Sequence, residues 1–125
     1  MTFRFEDVSA SKKAYQFTLL SYQITTCFPD SERCGLCSQF RRAAVSIAAN
    51  ISEGYKKLSK QDKLRFMNIA QGSLEECRCY IYLSRDLGYI NQETFDSLYS
   101  SLEETSKFLN LYCQGIIKNN HSNDE

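Results

Sequence analysis

One proline and five glycines among 125 residues leave this chain few places at which a helix must break. Only one histidine is present, His121, so the Glu-x-x-His pairs of a di-iron bundle cannot be assembled. No stretch approaches the roughly 18 apolar residues that signal a membrane span. The opening MTFRFEDVSASKK carries no apolar segment and does not read as a secretory signal. Phosphate-cradling glycine loops and nucleophile–base motifs are missing as well. These absences weigh against an enzyme and against a resident cofactor, and lead us to expect a cytoplasmic protein.

What is there is ordinary in amount and uneven in arrangement. A hydrophobic content of 42% with 24% charge is that of a globular chain, and 125 residues suffice for one domain with its own core. Six cysteines in a reducing compartment are expected to stay thiols. The formal charge is zero. Yet from Arg33 to Arg65 eight basic residues meet two acidic ones, and from Asp86 to the end seven acidic residues meet two basic ones.

Apolar spacing predicts an all-α protein of four helices. The first spans about Ser9 to Cys27, with Phe17, Leu20, Ile24 and Phe28 at helical intervals. Pro29-Asp30-Ser31 ends it. A second runs from about Glu32 to Glu53, with Leu36, Phe40, Ala43, Ile47 and Ile51 on one face and Gly54 as a left-handed stop. Ser59-Lys-Gln-Asp62 has the form of a capping box and opens a third helix near Lys60. That helix continues to about Leu87 on a stripe of Leu64, Met67, Ala70, Leu74, Cys77 and Ile81. Gly88 ends it and Asn91 opens the fourth, where Phe95, Leu98, Leu102, Thr105, Leu109, Tyr112 and Ile116 form a heptad seam. Short connections force neighbours to run antiparallel. The expected architecture is an up-down-up-down four-helix bundle over residues 1–118, with 119–125 as a disordered tail. Several helices carry a second apolar stripe, which suits either a well-filled core or a surface buried between subunits.

A polar seam crosses this plan. The second helix carries Gln39, Arg42, Ser46, Asn50 and Glu53 at spacings of three and four, and the third sets Gly72, Ser73 and Glu76 within its apolar face. Pairing about a turn centred near residue 57 puts Asn50 near Leu64, and Gln39 and Arg42 near Gly72 to Glu76. Gly72 costs about 1 kcal/mol of helix propensity, which argues for a close helix approach there, and Arg42 with Glu76 becomes a candidate ion pair. An asparagine and two glutamates can serve acid–base chemistry. With no nucleophile or histidine beside them, a satisfied network or a subunit contact that fixes register is the favoured reading.

Between Glu32 and Ile90 the chain carries Glu32-Arg33, Gly35-Leu36, Gln39, Arg41-Arg42-Ala43, Ser46-Ile47, Asn50-Ile51, Glu53-Gly54, Arg65-Phe66, Ile69-Ala70 and Gly72-Ser73-Leu74-Glu75. Through these positions it resembles the four-helix bundle proteins encoded in intervening sequences of bacterial large-subunit ribosomal RNA genes, a family often labelled ribosomal. The chain departs from the pattern in its cysteines at 34, 37, 77 and 79 and in lacking an early tryptophan. The resemblance implies a ring-like homopentamer and association with RNA or DNA, including a relation to retroelement accessory bundles. It implies no assigned activity.

In such a bundle the turn between the second and third helices lies at the same end as the start of the first and the finish of the fourth. Lys12, Lys13, Lys56, Lys57, Lys60, Lys63, Arg65 and Lys118 are then expected at one pole, against Glu53 and Asp62. Asp30, Glu32, Asp86, Glu93 and Asp96 are expected at the other. A lysine-rich rim suits a phosphate backbone and non-specific, salt-sensitive binding, and Tyr55 offers a stacking surface. A solvated basic loop is the bland alternative. The expected function is therefore a non-enzymatic homo-oligomeric bundle that contacts structured RNA or DNA through this pole. The alternative is a protein-binding scaffold or accessory subunit, whose partner would be encoded nearby. No membrane partner is expected.

Cys34-Gly-Leu-Cys37 has the spacing of a metal knuckle; Cys77 is expected level with Cys37, and Cys27 would be a fourth ligand. Cys77 and Cys79, however, lie about 200° apart around a helix. Structural zinc cysteines also sit on loops rather than within helices. Buried core thiols are the favoured reading, and no metal is expected.

Overall fold

Side-chain caps mark where two of the helices begin. Ser59 accepts the Asp62 N–H through its Oγ at 3.1 Å, and Asn91 accepts the Thr94 N–H through its Oδ1 at 2.8 Å. A computed structural model describes residues 5–119, with side chains from Ser9 onward. Its helices are α1 (Phe5–Thr25), α2 (Leu36–Tyr55), α3 (Lys60–Asp86) and α4 (Gln92–Lys118), with one 3-10 turn at Asp30–Glu32. Among the described residues there is no strand. The tail expected over 119–125 lies, apart from Asn119, outside the described residues.

Consecutive helices pack on one another, and α1 also packs on α4, which closes a square bundle with little contact across the diagonals. The pairs run antiparallel. Gln71 Nε2 donates to Asn110 Oδ1 at 2.9 Å, and one turn or two further along α3, Arg78 pairs with Glu103 further back on α4. Phe17, Phe40, Ile47, Ile51, Met67, Ile81, Leu98, Leu102 and Leu109 fill the core. Ser21, Thr25, Ser84 and Thr105 are buried among them, and each hydroxyl donates to a carbonyl one turn earlier on its own helix. Those polar groups therefore carry no unpaired donor into the core.

Four local expectations are corrected. The second helix begins at Leu36 rather than Glu32, because the Glu32 carboxylate itself acts as the cap: its Oε1 accepts the Leu36 N–H at 2.9 Å. Gly35 leaves room for that reach, since a Cβ there would lie 2.7 Å from the same oxygen. Gly54 is not a left-handed stop. It is buried in the last turn of α2, where a Cβ would strike Met67 Cε and come within 2.7 Å of Phe66 Cβ. Among the described residues only Gly88 has a positive φ, +80°, and it ends α3. The close approach of α2 and α3 is thus at Gly54 and not at Gly72, where a Cβ would meet nothing within 4 Å. The pairing register shifts accordingly. Ser46 faces Ser73, Phe40 faces Tyr80 and Tyr55 faces Lys63, so the pair is centred on Ser59 and Lys60 rather than near residue 57.

Candidate nucleic-acid interface

The turn between α2 and α3 is short and tied on both sides. Lys56 N donates to Glu53 O at 3.2 Å, Lys57 N to Gly54 O at 3.1 Å, and Lys63 N to Ser59 O at 3.0 Å. Lys63 Nζ turns back to cap the end of α2, donating to Tyr55 O at 2.6 Å, and stands 5.3 Å from the Tyr55 ring centre. Lys57 Nζ lies 5.1 Å from the Phe66 ring centre, and the Arg65 guanidinium covers the same ring at 4.8 Å. Lys56 is exposed. With Lys60 at the first position of α3 and Lys118 at the last of α4, six cations gather at this end. Glu53 and Asp62 oppose them, and Asp62 holds Arg65 at 3.5 Å in an exposed pair of little energetic weight. Tyr55 is not an open stacking surface: its ring packs on Tyr112 at 6.4 Å and beneath Lys63.

Lys12 and Lys13 do not join this group. Lys13 Nζ pairs with Glu104 Oε1 at 3.3 Å. Glu104 lies roughly 20 Å along α4 from Lys118, at 1.5 Å per residue. The cause is the start of α1 at Phe5, about two turns before these lysines, which sets them near mid-height.

The polar seam divides in two. Ser46 Oγ and Ser73 Oγ are 2.7 Å apart, and Asn50 Nδ2 donates to Ser46 O at 2.8 Å and to Ser46 Oγ at 3.1 Å, so these three residues tie α2 to α3. Gln39, Arg42, Glu53, Gly72 and Glu76 are exposed. Ion pairs among the described residues do not include Arg42 with Glu76; both project beside Tyr80, where their opposite charges act on the same phenol. Burial, chiefly, raises the Tyr80 pKa. Arg41, by contrast, caps the end of α1: Nε donates to Thr25 Oγ1 at 2.8 Å and Nη2 to Tyr22 O at 3.2 Å. It leaves Thr25, Thr26, Phe28, Arg33 and Cys37 around a shallow hollow of about 190 Å³.

At the far end four of the acidic residues have partners within the chain, although Asp30 and Arg33 remain largely exposed. Glu32 accepts from Leu36 N and, through Oε2, from the Tyr89 hydroxyl at 2.7 Å. The backbone N–H first and the Tyr89 hydroxyl second lower its carboxyl pKa, while the Tyr89 pKa rises in return. Asp86 pairs with Arg85 at 3.1 Å, Asp30 with Arg33 at 3.8 Å, and Asp96 accepts from Gln92 at 2.8 Å. On the α3–α4 face, partial burial works against the Arg78 charge, but bonds to Glu75, Glu103 and Tyr99 hold it more firmly protonated.

Among the described residues no three or more His, Cys, Asp or Glu side chains are placed to hold a metal ion. The shifted register carries Cys77 away from Cys37, and burial keeps the Cys77 thiol protonated far above its ordinary range. Cys37 donates weakly to Thr25 O at 3.8 Å. No helix among the described residues is long and apolar enough to cross a membrane.

One residue of the turn escaped the sequence reading. Leu58 is 96% exposed between Lys57 and Ser59, the most exposed of the large apolar side chains among the described residues, followed by Tyr15 at 62%. Its signal was its isolation: it belongs to neither the α2 nor the α3 stripe.

These features define an all-α bundle with one cationic end. Over residues 6–111 the chain matches the family 23S rRNA-intervening sequence protein, and it belongs to that family. Its fold is similar to that of a crystal structure of a protein of unknown function from the S23 ribosomal protein family of Bacteroides thetaiotaomicron VPI-5482. The two share 22% identity, with a TM-score of 0.80 over 88% of this chain and 99% of that one. No curated protein matches the sequence.

Proposed function

We propose that this chain is a non-enzymatic, cytoplasmic, homo-oligomeric bundle that associates with the backbone of RNA or DNA through the α2–α3 end. The observation that carries this reading is the cluster of Lys56, Lys57, Lys60, Lys63, Arg65 and Lys118 on one short, hydrogen-bonded turn and the helix ends beside it. Lysines on a fixed turn meet phosphates as point charges, with little reading of bases. Assembly into a ring, a pentamer by family resemblance, would repeat the cationic end around one rim and multiply a weak contact. Lys12 and Lys13 stand outside this contact, Lys13 beside Glu104.

The test is a fluorescence anisotropy titration of a structured RNA across a salt series. Each phosphate contact contributes about 0.9 to the slope of log affinity against log salt, so K56E/K57E/K60E/K63E should flatten the slope by about 3.6. K56E/K60E, which leaves the Lys63 bond to Tyr55 in place, should flatten it by about half as much. Unchanged affinity in either variant removes the reading.

A second reading, a protein-binding scaffold, is favoured by one observation. Tyr15, Leu19 and Tyr22 form an exposed apolar stripe along α1, which suits a partner protein or a neighbouring copy. Co-purification of a protein in stoichiometric amount, without nucleic acid, would select it.

A further inference from the structure

Leu58 is held out of the protein by construction. The backbone bonds of Lys56 and Lys57 close the end of α2, Ser59 caps the start of α3, and Lys63 Nζ ties back to Tyr55 O, so Leu58 sits in a short link between two closed helix ends. It is 96% exposed, and Lys56, Lys57 and Lys60 surround it in the chain. A large apolar group at the centre of a cationic tip gains nothing from phosphates. It gains from a surface that is apolar yet lies between phosphates, and the faces of unstacked bases are such a surface.

We propose that Leu58 is an apolar wedge that enters an RNA at an unpaired site, a bulge or loop, while the flanking lysines hold the phosphates on either side. This deepens the nucleic-acid reading and rests on it. It names the ligand class as RNA with interrupted pairing rather than uniform duplex. A lipid surface fits less well. One leucine buries far less than the myristoyl chain that by itself gives only marginal membrane binding, whereas a single wedge residue suffices to occupy a gap between two bases.

The experiment compares a labelled RNA duplex carrying one bulge with the same duplex uninterrupted. The full chain, L58S, L58M and K56E/K60E are titrated against both. The full chain should prefer the bulged RNA about tenfold, the scale of one buried leucine side chain. L58S should erase that preference while leaving duplex affinity and salt slope unchanged, and L58M should keep it. Because Leu58 touches solvent almost everywhere, L58S should melt as the parent does. No bulge preference in the parent, or an equal preference in L58S, overturns the wedge and leaves the phosphate reading standing. Unchanged RNA affinity in K56E/K60E overturns both. A parallel sedimentation with phosphatidylcholine vesicles, with and without phosphatidylserine, separates the remaining source. Leu58-dependent vesicle binding without a bulge preference overturns the proposal in favour of a membrane contact.

Discussion

At one end of the bundle Glu32 directs both carboxylate oxygens inward, to Leu36 N and Tyr89 Oη, and Phe28 packs on the Tyr89 ring at 5.3 Å. At the other end Lys56 points to solvent and Leu58 is almost wholly bare. Both ends are connections between helices of the same bundle, yet at the first the Glu32 carboxylate is satisfied within the chain, while the second presents Lys56 and Leu58 outward. The difference teaches where function is to be sought. A polar group whose partners are all within the chain explains itself as structure, and one that projects from a rigid turn does not.

The largest expected effect on stability breaks the packing beneath the outward end. Gly54→Ala should cost about 1–3 kcal/mol, because the new methyl meets Met67 Cε and Phe66 Cβ in a filled core. Urea denaturation followed by circular dichroism measures it, and a neutral result would mean that α3 can draw back from α2. Gly72→Ala should act in the opposite sense. An exposed mid-helix glycine with open space around it should yield about 0.5–1 kcal/mol when replaced. If Gly72 instead lies against a neighbouring copy, light scattering will show a smaller assembly and the gain will vanish.

Tyr89→Phe sharpens the comparison at the closed end. The Glu32 pKa is depressed from its ordinary 4.5, so its contribution is present above that value and is lost as pH falls through the depressed one. Removing one of the two donors should lower the urea midpoint near neutrality and change it less at about pH 3, which flattens the acid limb of the stability curve. An identical acid limb in the variant would show that Tyr89 does not hold the carboxylate.

Much of the fold was legible because its signals are local. Ser59, Gly88 and Asn91 mark their boundaries by capping chemistry within a few residues, and α3 and α4 follow as expected. The junction of α1 and α2 was less legible, since Glu32 caps α2 with a side chain four residues before the bonded amide. The sequence also names small residues without saying which side of a helix is crowded. Gly54 reads as a helix stop and Gly72 as the close approach, and only the packing in the register centred on Ser59 and Lys60 reverses them. The same limit applies to the cationic end. Lys56, Lys57, Lys60 and Lys63 share one turn and were found together, whereas the position of Lys12 and Lys13 depends on where α1 starts. Ser46, Asn50 and Ser73 were legible as a seam; that Gln39, Arg42 and Glu76 face outward required knowing the rotation of each helix.

Gly54 has one more consequence. With the Met67 methyl seated against bare backbone, α3 cannot slide along α2 by a turn without driving a side chain into that notch. The notch works as a mechanical detent: it sets the height of one rod against the other, and so fixes how far the tip between them protrudes and in what posture its residues greet whatever arrives.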